Sequence, residues 1–302
     1  MALWPNIPFE FQLSFAQCYS GSLARPRGSY AVLIRMLCQE EIFAIKIGTC
    51  AGALLTTFVF LCASSLSIKT LGETSTDAID VDPRKVFSQT SPKWLTAVGK
   101  LYVPSIKMIE GYRSNHREDC SATLVSRPGK KEADTVITAW HCLEFYTDLS
   151  KSIIFTLLPD SSAPISTEVH RLADGGGMHA DWAILRLHQP IPSDRVLSLR
   201  IHPARASSES TISMAGYSSD AGLGHGGNSL TYDPFCNVTL QVRHSSNSNC
   251  RAFRGASGGA VVQLSSDGVP WLSGVISQGD GEQLSVFIPV ARFRSAINLH
   301  LR

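Results

Sequence analysis

The sequence has little charge, since Asp, Glu, Lys and Arg make up only 17% of its 302 residues. The formal net charge of +2 gives no basic excess of the kind that marks a nucleic-acid-binding protein. Eight cysteines are too few for a small disulfide scaffold, and 23 glycines and 15 prolines exclude a collagen-like or low-complexity chain. The apolar fraction of 44% supports a packed core and excludes disorder over the whole length.

The N-terminal region contains an uncharged stretch at positions 47–68. As a helix it would be about 33 Å long, enough to span a bilayer. Its most apolar part, 51–63, has the length of a signal-peptide core, and small residues follow it. We therefore predict a leader over 1–68 with an N-terminal hydrophobic helix, either a signal peptide or a membrane anchor. Both interpretations place the rest of the chain outside the cytosol, secreted or periplasmic, and a buried core helix is the alternative.

The remaining chain has a different pattern. Residues 69–95 are polar and acidic, which predicts a linker or pro-segment. After them come short strand-like segments separated by Gly, Ser, Asp and Asn, typical of an all-β fold, and Ala291–Leu301 has helical periodicity. The predicted strands are Cys120–Val125 and Thr135–Ala139, which form a hairpin, then Ile153–Leu157, Trp182–Leu187, Thr211–Tyr217, Thr239–Val242, Gly259–Leu264, Leu272–Ser277 and Val286–Pro289.

Three short segments contain reactive side chains in the order His, Asp, Ser. They are Thr138-Ala139-Trp140-His141-Cys142, Asp181-Trp182-Ala183-Ile184-Leu185-Arg186-Leu187 and Gly255-Ala256-Ser257-Gly258-Gly259. Each segment alone is more often structural than functional. Together they supply a serine nucleophile, a histidine base to activate it and an aspartate to orient the imidazole. The glycines would let backbone N–H groups approach a developing oxyanion.

These motifs closely resemble those of trypsin-like (chymotrypsin-fold) serine peptidases in their compact bacterial form. Ala215-Gly216-Tyr217-Ser218 and the segment 272–279 are also similar, so the resemblance covers about 98–299. It implies an all-β peptidase domain over 96–302, with two antiparallel β-barrels at about 96–195 and 196–302. The active site would lie in the cleft between them, and a C-terminal helix would follow.

The resemblance also implies roles for individual residues. His141, Asp181 and Ser257 would be catalytic, and the backbone N–H groups of Gly255 and Ser257 would form the oxyanion hole. The partner would be a protein or peptide substrate, cleaved through an acyl-enzyme intermediate, with no metal or organic cofactor. Membrane contact would be limited to anchoring by the N-terminal segment.

The cysteines fit this resemblance. In the family, the cysteines that match Cys120 and Cys142 are bridged, which holds the histidine loop. Cys236 and Cys250 lie 14 positions apart and could brace the pocket wall. Buried free thiols are the alternative. A zinc site from His116, Cys120, His141 and Cys142 is a weaker one, because the usual ligand spacing is absent.

The same resemblance implies a set of substrate-binding residues. Ser277 and Gly279 would pair with the substrate backbone, with Gln278 between them, and Ser285 would keep the pocket open. Arg251 lies six residues before Ser257, at the position that often sets specificity. It would favour an acidic substrate side chain if it points into the pocket, or it is exposed on the barrel surface.

The chain departs from the animal digestive enzymes in one respect. They have an aspartate before the nucleophile, which receives a new N-terminus on activation, and here that position is Ala256. We therefore predict a domain that is competent without a defined N-terminal cut.

The sequence also suggests two other interpretations. An α/β-hydrolase needs its Asp and His after the nucleophile, and only 45 residues follow Ser257. A non-catalytic binding module on the same fold would usually have lost a triad residue, and all three are present.

Overall fold

The computed structural model describes residues 81–159 and 161–302, which belong to one compact unit. The predicted hydrophobic N-terminal helix lies outside these residues. No helix within them has the length and apolar character needed to cross a membrane. The strands are β1 (Lys85–Val86), β2 (Val98–Ile109), β3 (Tyr112–Val125), β4 (Glu132–Thr138), β5 (Ile153–Leu157), β6 (Ile165–Asp174), β7 (Ala183–Pro192), β8 (Arg200–Ile201), β9 (Ile212–Gly216), β10 (Thr231–Cys236), β11 (Val238–Gln241), β12 (Ser246–Ser248), β13 (Ala260–Leu264), β14 (Pro270–Gly279) and β15 (Ser285–Pro289).

The first half is a closed antiparallel barrel in the order β2-β3-β4-β7-β6-β5. Its core comes from alternate positions, because successive side chains of a strand point to opposite faces. In β5, Ile153, Phe155 and Leu157 are fully buried while the residues between them are partly exposed. The predicted hairpin is confirmed as β3 and β4, which pair from Thr123–Ile137 to Val125–Thr135.

The second half is a nine-stranded sheet in the order β1-β10-β9-β13-β14-β15-β12-β11, with β8 parallel to β14. The predicted all-β architecture of two halves is therefore confirmed. The second half, however, is a half-barrel sheet, whereas the resemblance implied a second β-barrel. Some of its strands are short: the edge strand β1 has two residues, and β12, next to the other edge, has three.

The chain ends in helix α1 (Arg294–His300), shorter than the predicted Ala291–Leu301 because Val290–Arg292 form a 3-10 turn. The Trp182 ring stacks on Phe293 with centroids 4.7 Å apart. Arg127 Nη2 donates to the Asn298 carbonyl at 3.2 Å. These contacts attach the C-terminal helix to the first barrel.

Residues before 96 also take part in the fold. Strand β1 pairs with β10, with Lys85 opposite Tyr232. A 3-10 helix follows at Lys93–Ala97, and Trp94 and Leu95 are buried in the main core. The second part of the predicted linker or pro-segment is thus packed onto the second sheet and the main core.

Candidate active site

Strand pairing in the first barrel brings His141 and Asp181 together. His141 lies in a 3-10 turn directly after β4, and Asp181 lies just before β7. β4 and β7 are antiparallel neighbours, and Thr138 pairs with Ala183. The end of one strand therefore lies beside the start of the other.

Asp181 is fully buried and accepts three hydrogen bonds. Its Oδ2 lies 2.8 Å from His141 Nδ1 and accepts the Ser277 hydroxyl at 2.5 Å. Its Oδ1 accepts the backbone N–H of His141 at 2.9 Å. A buried carboxylate requires such donors, and an ionised one only accepts, so Nδ1 carries the imidazole proton. This leaves Nε2 as the nitrogen that can accept a proton.

Ser257 lies on a tight turn in the segment 250–259, hereafter the nucleophile loop. Gly255 and Gly258 have φ of +89° and +82°, a region that favours glycine. A Cβ at Gly258 would lie 2.1 Å from both the Ser121 carbonyl oxygen and Thr138 Oγ1. The turn therefore requires glycine after the serine, and Ser257 itself is partly exposed.

Ser121 on β3 joins the two halves at this point, a role that the sequence did not indicate. Its backbone N–H donates to the Ser257 carbonyl at 2.8 Å. Its buried hydroxyl donates to the Gly255 carbonyl and accepts the Tyr217 N–H, both at 2.8 Å. Thr138 Oγ1 in turn donates to the Ser121 carbonyl. One residue of the first barrel thus fixes the nucleophile loop next to the histidine.

The orientation of the peptide bond between Arg254 and Gly255 is fixed by a hydrogen bond. The Arg254 carbonyl accepts the Ser219 N–H at 2.6 Å. In a trans peptide the carbonyl and the following N–H point in opposite directions. The Gly255 N–H therefore points away from Ser219.

Two of the predicted substrate-binding residues, Ser285 and Gly279, lie against residues 250–252. The buried Ser285 hydroxyl donates to the Cys250 carbonyl at 2.8 Å, and a Cβ at Gly279 would lie 2.5 Å from the Ala252 carbonyl oxygen. Gln278 and Gly279 are exposed at the end of β14, whereas Ser277 is buried and bonded to Asp181.

Arg251 is partly exposed, and both its side chain and its backbone N–H donate hydrogen bonds. Its Nε donates to the Glu282 carbonyl at 2.9 Å, and its backbone N–H donates to Asp233 Oδ2 at 3.0 Å. Burial raises the pKa of Asp233, against the opposing effect of hydrogen bonds from backbone N–H groups, including that of Arg251.

Both predicted cysteine pairs are disulfides, Cys120–Cys142 and Cys236–Cys250. The free-thiol alternative is therefore wrong for these four residues. The two sulfurs of the first bridge lie close to His141, in a grouping that could suggest a metal site. Zinc binds thiolates, and disulfide sulfurs are not thiolates, so the zinc alternative is also wrong.

The fold and these residues define a chymotrypsin-fold serine protease. The family model "Trypsin" matches residues 107–297, and the chain belongs to this family of serine endopeptidases. No curated protein matches it.

Two solved structures illustrate the shared fold. The protease Anisep from Arthrobacter nicotinovorans is 20% identical with a TM-score of 0.52, over 69% of this chain and 97% of that one. A Glu endopeptidase solved in complex with MPD is 18% identical with a TM-score of 0.52, over 73% of this chain and 97% of that one. The family match confirms the expected membership of the trypsin-like peptidases, and these two structures share the fold.

Proposed function

We propose that the chain is an exported serine endopeptidase that works through a Ser257, His141 and Asp181 triad. The observation that carries this proposal is the buried Asp181 carboxylate, bonded to both the Nδ1 and the backbone N–H of His141. This contact fixes the ring and leaves Nε2 to act as the base. The glycine-flanked Ser257 turn supplies the nucleophile at the junction of the two halves.

In the first half-reaction, Ser257 Oγ attacks the peptide carbonyl carbon while His141 Nε2 takes the hydroxyl proton. The N–H groups of Gly255 and Ser257 stabilise the oxyanion that forms. The C–N bond then breaks, and His141 gives its proton to the leaving amine. In the second half-reaction, water attacks the acyl carbon while His141 Nε2 takes its proton, and the bond to Ser257 Oγ then breaks as His141 returns that proton to the serine oxygen.

An extended substrate would bind beside β14. The exposed end of this strand at Gln278 and Gly279 offers backbone groups to an added strand. Ser277 would align the same strand while its side chain supports Asp181.

Export is part of the proposal. Disulfides persist mainly in oxidising compartments, and the part of the chain that the structure describes contains two. Together with the predicted leader, they favour a secreted or periplasmic enzyme, with membrane anchoring through the N-terminal segment as a further option.

Labelling with a fluorophosphonate probe tests this function, because the probe reacts only with an activated serine. We expect the full-length chain to be labelled, and Ser257→Ala and His141→Ala not to be. Ser266→Ala, an exposed serine between β13 and β14, is the matched control and should label like the parent. A folded parent that does not label would favour the binding-module alternative.

We further propose that Arg251 gives only a weak preference for acidic substrate residues. Its Nε is bonded to the Glu282 carbonyl, and Asp82 and Asp233 lie within electrostatic range of its charge. A partly exposed ion pair contributes about 0–1 kcal/mol, so Glu should be favoured over Gln before the scissile bond by at most about fivefold.

Matched peptides that differ only in Glu or Gln at this position measure the preference as a ratio of kcat/KM. Arg251→Gln should remove it, while Arg243→Gln, an exposed arginine, should not. A preference above about 100-fold, or about 2.7 kcal/mol, would mean that the guanidinium faces the bound side chain directly.

A further inference from the structure

A nearly buried arginine lies behind the nucleophile loop, in the segment 81–97 that precedes β2, hereafter the N-terminal arm. Arg84 is 5% exposed, and its Nη1 and Nη2 donate to the two Asp220 carboxylate oxygens at 2.8 and 3.0 Å. The same guanidinium binds the Asp82 carboxylate, with an Nη2 to Oδ2 distance of 2.6 Å. Its carbon atom lies 4.1 Å from the centroid of the Phe253 ring. Arg84 thus connects the N-terminal arm, the 217–230 loop between β9 and β10, and the nucleophile loop.

Both partners of this ion pair stay charged at neutral pH. Burial opposes the charge of Arg84, but its hydrogen bonds to Asp220 and Asp82 outweigh burial and raise its pKa. Burial alone would raise the pKa of Asp220, but the hydrogen bonds from Arg84 and the Gly224 N–H lower it. A charge-assisted bidentate pair of this kind also fixes the relative orientation of its two side chains.

Asp220 organises the 217–230 loop. Its Oδ2 accepts the Gly224 N–H at 3.2 Å, and its carbonyl accepts the Gly226 N–H at 2.9 Å. The residue before it, Ser219, donates its N–H to the Arg254 carbonyl. The position of Asp220 therefore sets the position of the donor that holds the peptide between Arg254 and Gly255.

The orientation of this peptide matters for the oxyanion hole. While Ser219 holds the Arg254 carbonyl, the Gly255 N–H points to the opposite side. If that hydrogen bond were lost, the glycine would permit the peptide to rotate, because Gly255 lacks a Cβ that restricts its backbone. The carbonyl oxygen could then face the substrate oxygen and would repel the developing negative charge.

We propose that Arg84 is a positioning residue that holds the Gly255 N–H in the orientation needed to stabilise the oxyanion. This inference rests on the proposed peptidase function. It also explains how a chain with Ala256 before the nucleophile could be competent without a new N-terminus, since the ordering cation is a side chain within the arm itself.

The test uses the full-length chain with Arg84→Gln, Arg84→Lys and Asp220→Asn. Removing one oxyanion-hole donor costs about 10²- to 10³-fold in kcat, so Arg84→Gln should lower kcat by about 100-fold. KM should stay within about threefold, because the ion-pair partners of Arg84 are Asp82 and Asp220, which lie outside the binding strand β14, and only transition-state stabilisation is lost. Arg84→Lys keeps the charge and should recover part of kcat. Asp220→Asn, which leaves Arg84 paired with Asp82, should lower kcat with the same unchanged KM.

Arg127→Gln is the matched control, since Arg127 binds the C-terminal helix and should leave kcat unchanged. Circular dichroism at the assay temperature identifies folded variants. If Arg84→Gln does not fold, the kcat and KM of Asp220→Asn test the role of the ion pair instead. A folded variant with kcat within threefold of the parent, or a loss confined to KM, would overturn the role of Arg84. An inactive, unlabelled parent would instead refute the proposed function.

Discussion

Replacing Ser257 or His141 by alanine is expected to lower kcat by about 10⁶-fold, and replacing both should cost no more than either one. The reason is that the two side chains act in one step. Without the base the hydroxyl is not activated, and without the hydroxyl the base has no proton to take. The losses are therefore not additive.

The measurement compares kcat for the parent, the two single variants and the double variant with one peptide ester substrate. His188→Ala and Ser266→Ala are matched controls, because both side chains are exposed and lie outside the proposed site. Titration with the fluorophosphonate probe measures any contaminating active enzyme, which would otherwise hide a loss of this size. Losses that multiply in the double variant would mean that the two residues act in separate steps.

The reactive residues could be found from the sequence because their chemistry restricts the local pattern. The glycines beside Ser257 have positive φ and leave no room for a side chain, so the motif at 255–259 is tightly constrained. The same is true of strands with one buried face. Strand β5 was predicted with its observed bounds, because its sequence Ile-Ile-Phe-Thr-Leu is rich in apolar and β-branched residues.

The elements that the sequence did not reveal have no such local pattern. Most residues of β6 are at least partly exposed, so its polar sequence does not distinguish a strand from a loop. Strand β1 has only two residues, both exposed, and its only signal is its pairing with β10. β1 is defined by a neighbour that is distant in the sequence, and β6 by its pairing with β5 and β7 on either side of it.

The missed site residues have the same explanation. Ser121 bonds to Gly255 and Tyr217, which are 134 and 96 positions away. Arg84 bonds to Asp220 at a separation of 136 positions, and its segment was interpreted as a linker because it is polar. A serine or an arginine alone carries no motif, and only the packed loops give either one a role.

Asp181→Asn is expected to lower kcat by about 10⁴-fold while leaving the fold intact. The backbone N–H of His141 donates to Oδ1, so the remaining amide oxygen must occupy that position. The amide nitrogen then takes the place of Oδ2, where it faces both His141 Nδ1 and the Ser277 hydroxyl.

This arrangement reverses the tautomer of the His141 imidazole. The amide donates to Nδ1, which must then be the unprotonated nitrogen, and the proton moves to Nε2. A protonated Nε2 cannot accept the proton of Ser257, so attack is lost although every side chain remains in place. Ser277→Ala is the control, because it removes one hydrogen bond to the same carboxylate without changing the tautomer, and one such bond contributes about 1–3 kcal/mol. If Asp181→Asn lost no more activity than Ser277→Ala, the carboxylate would only support the structure, and His141 would not depend on it for its proton.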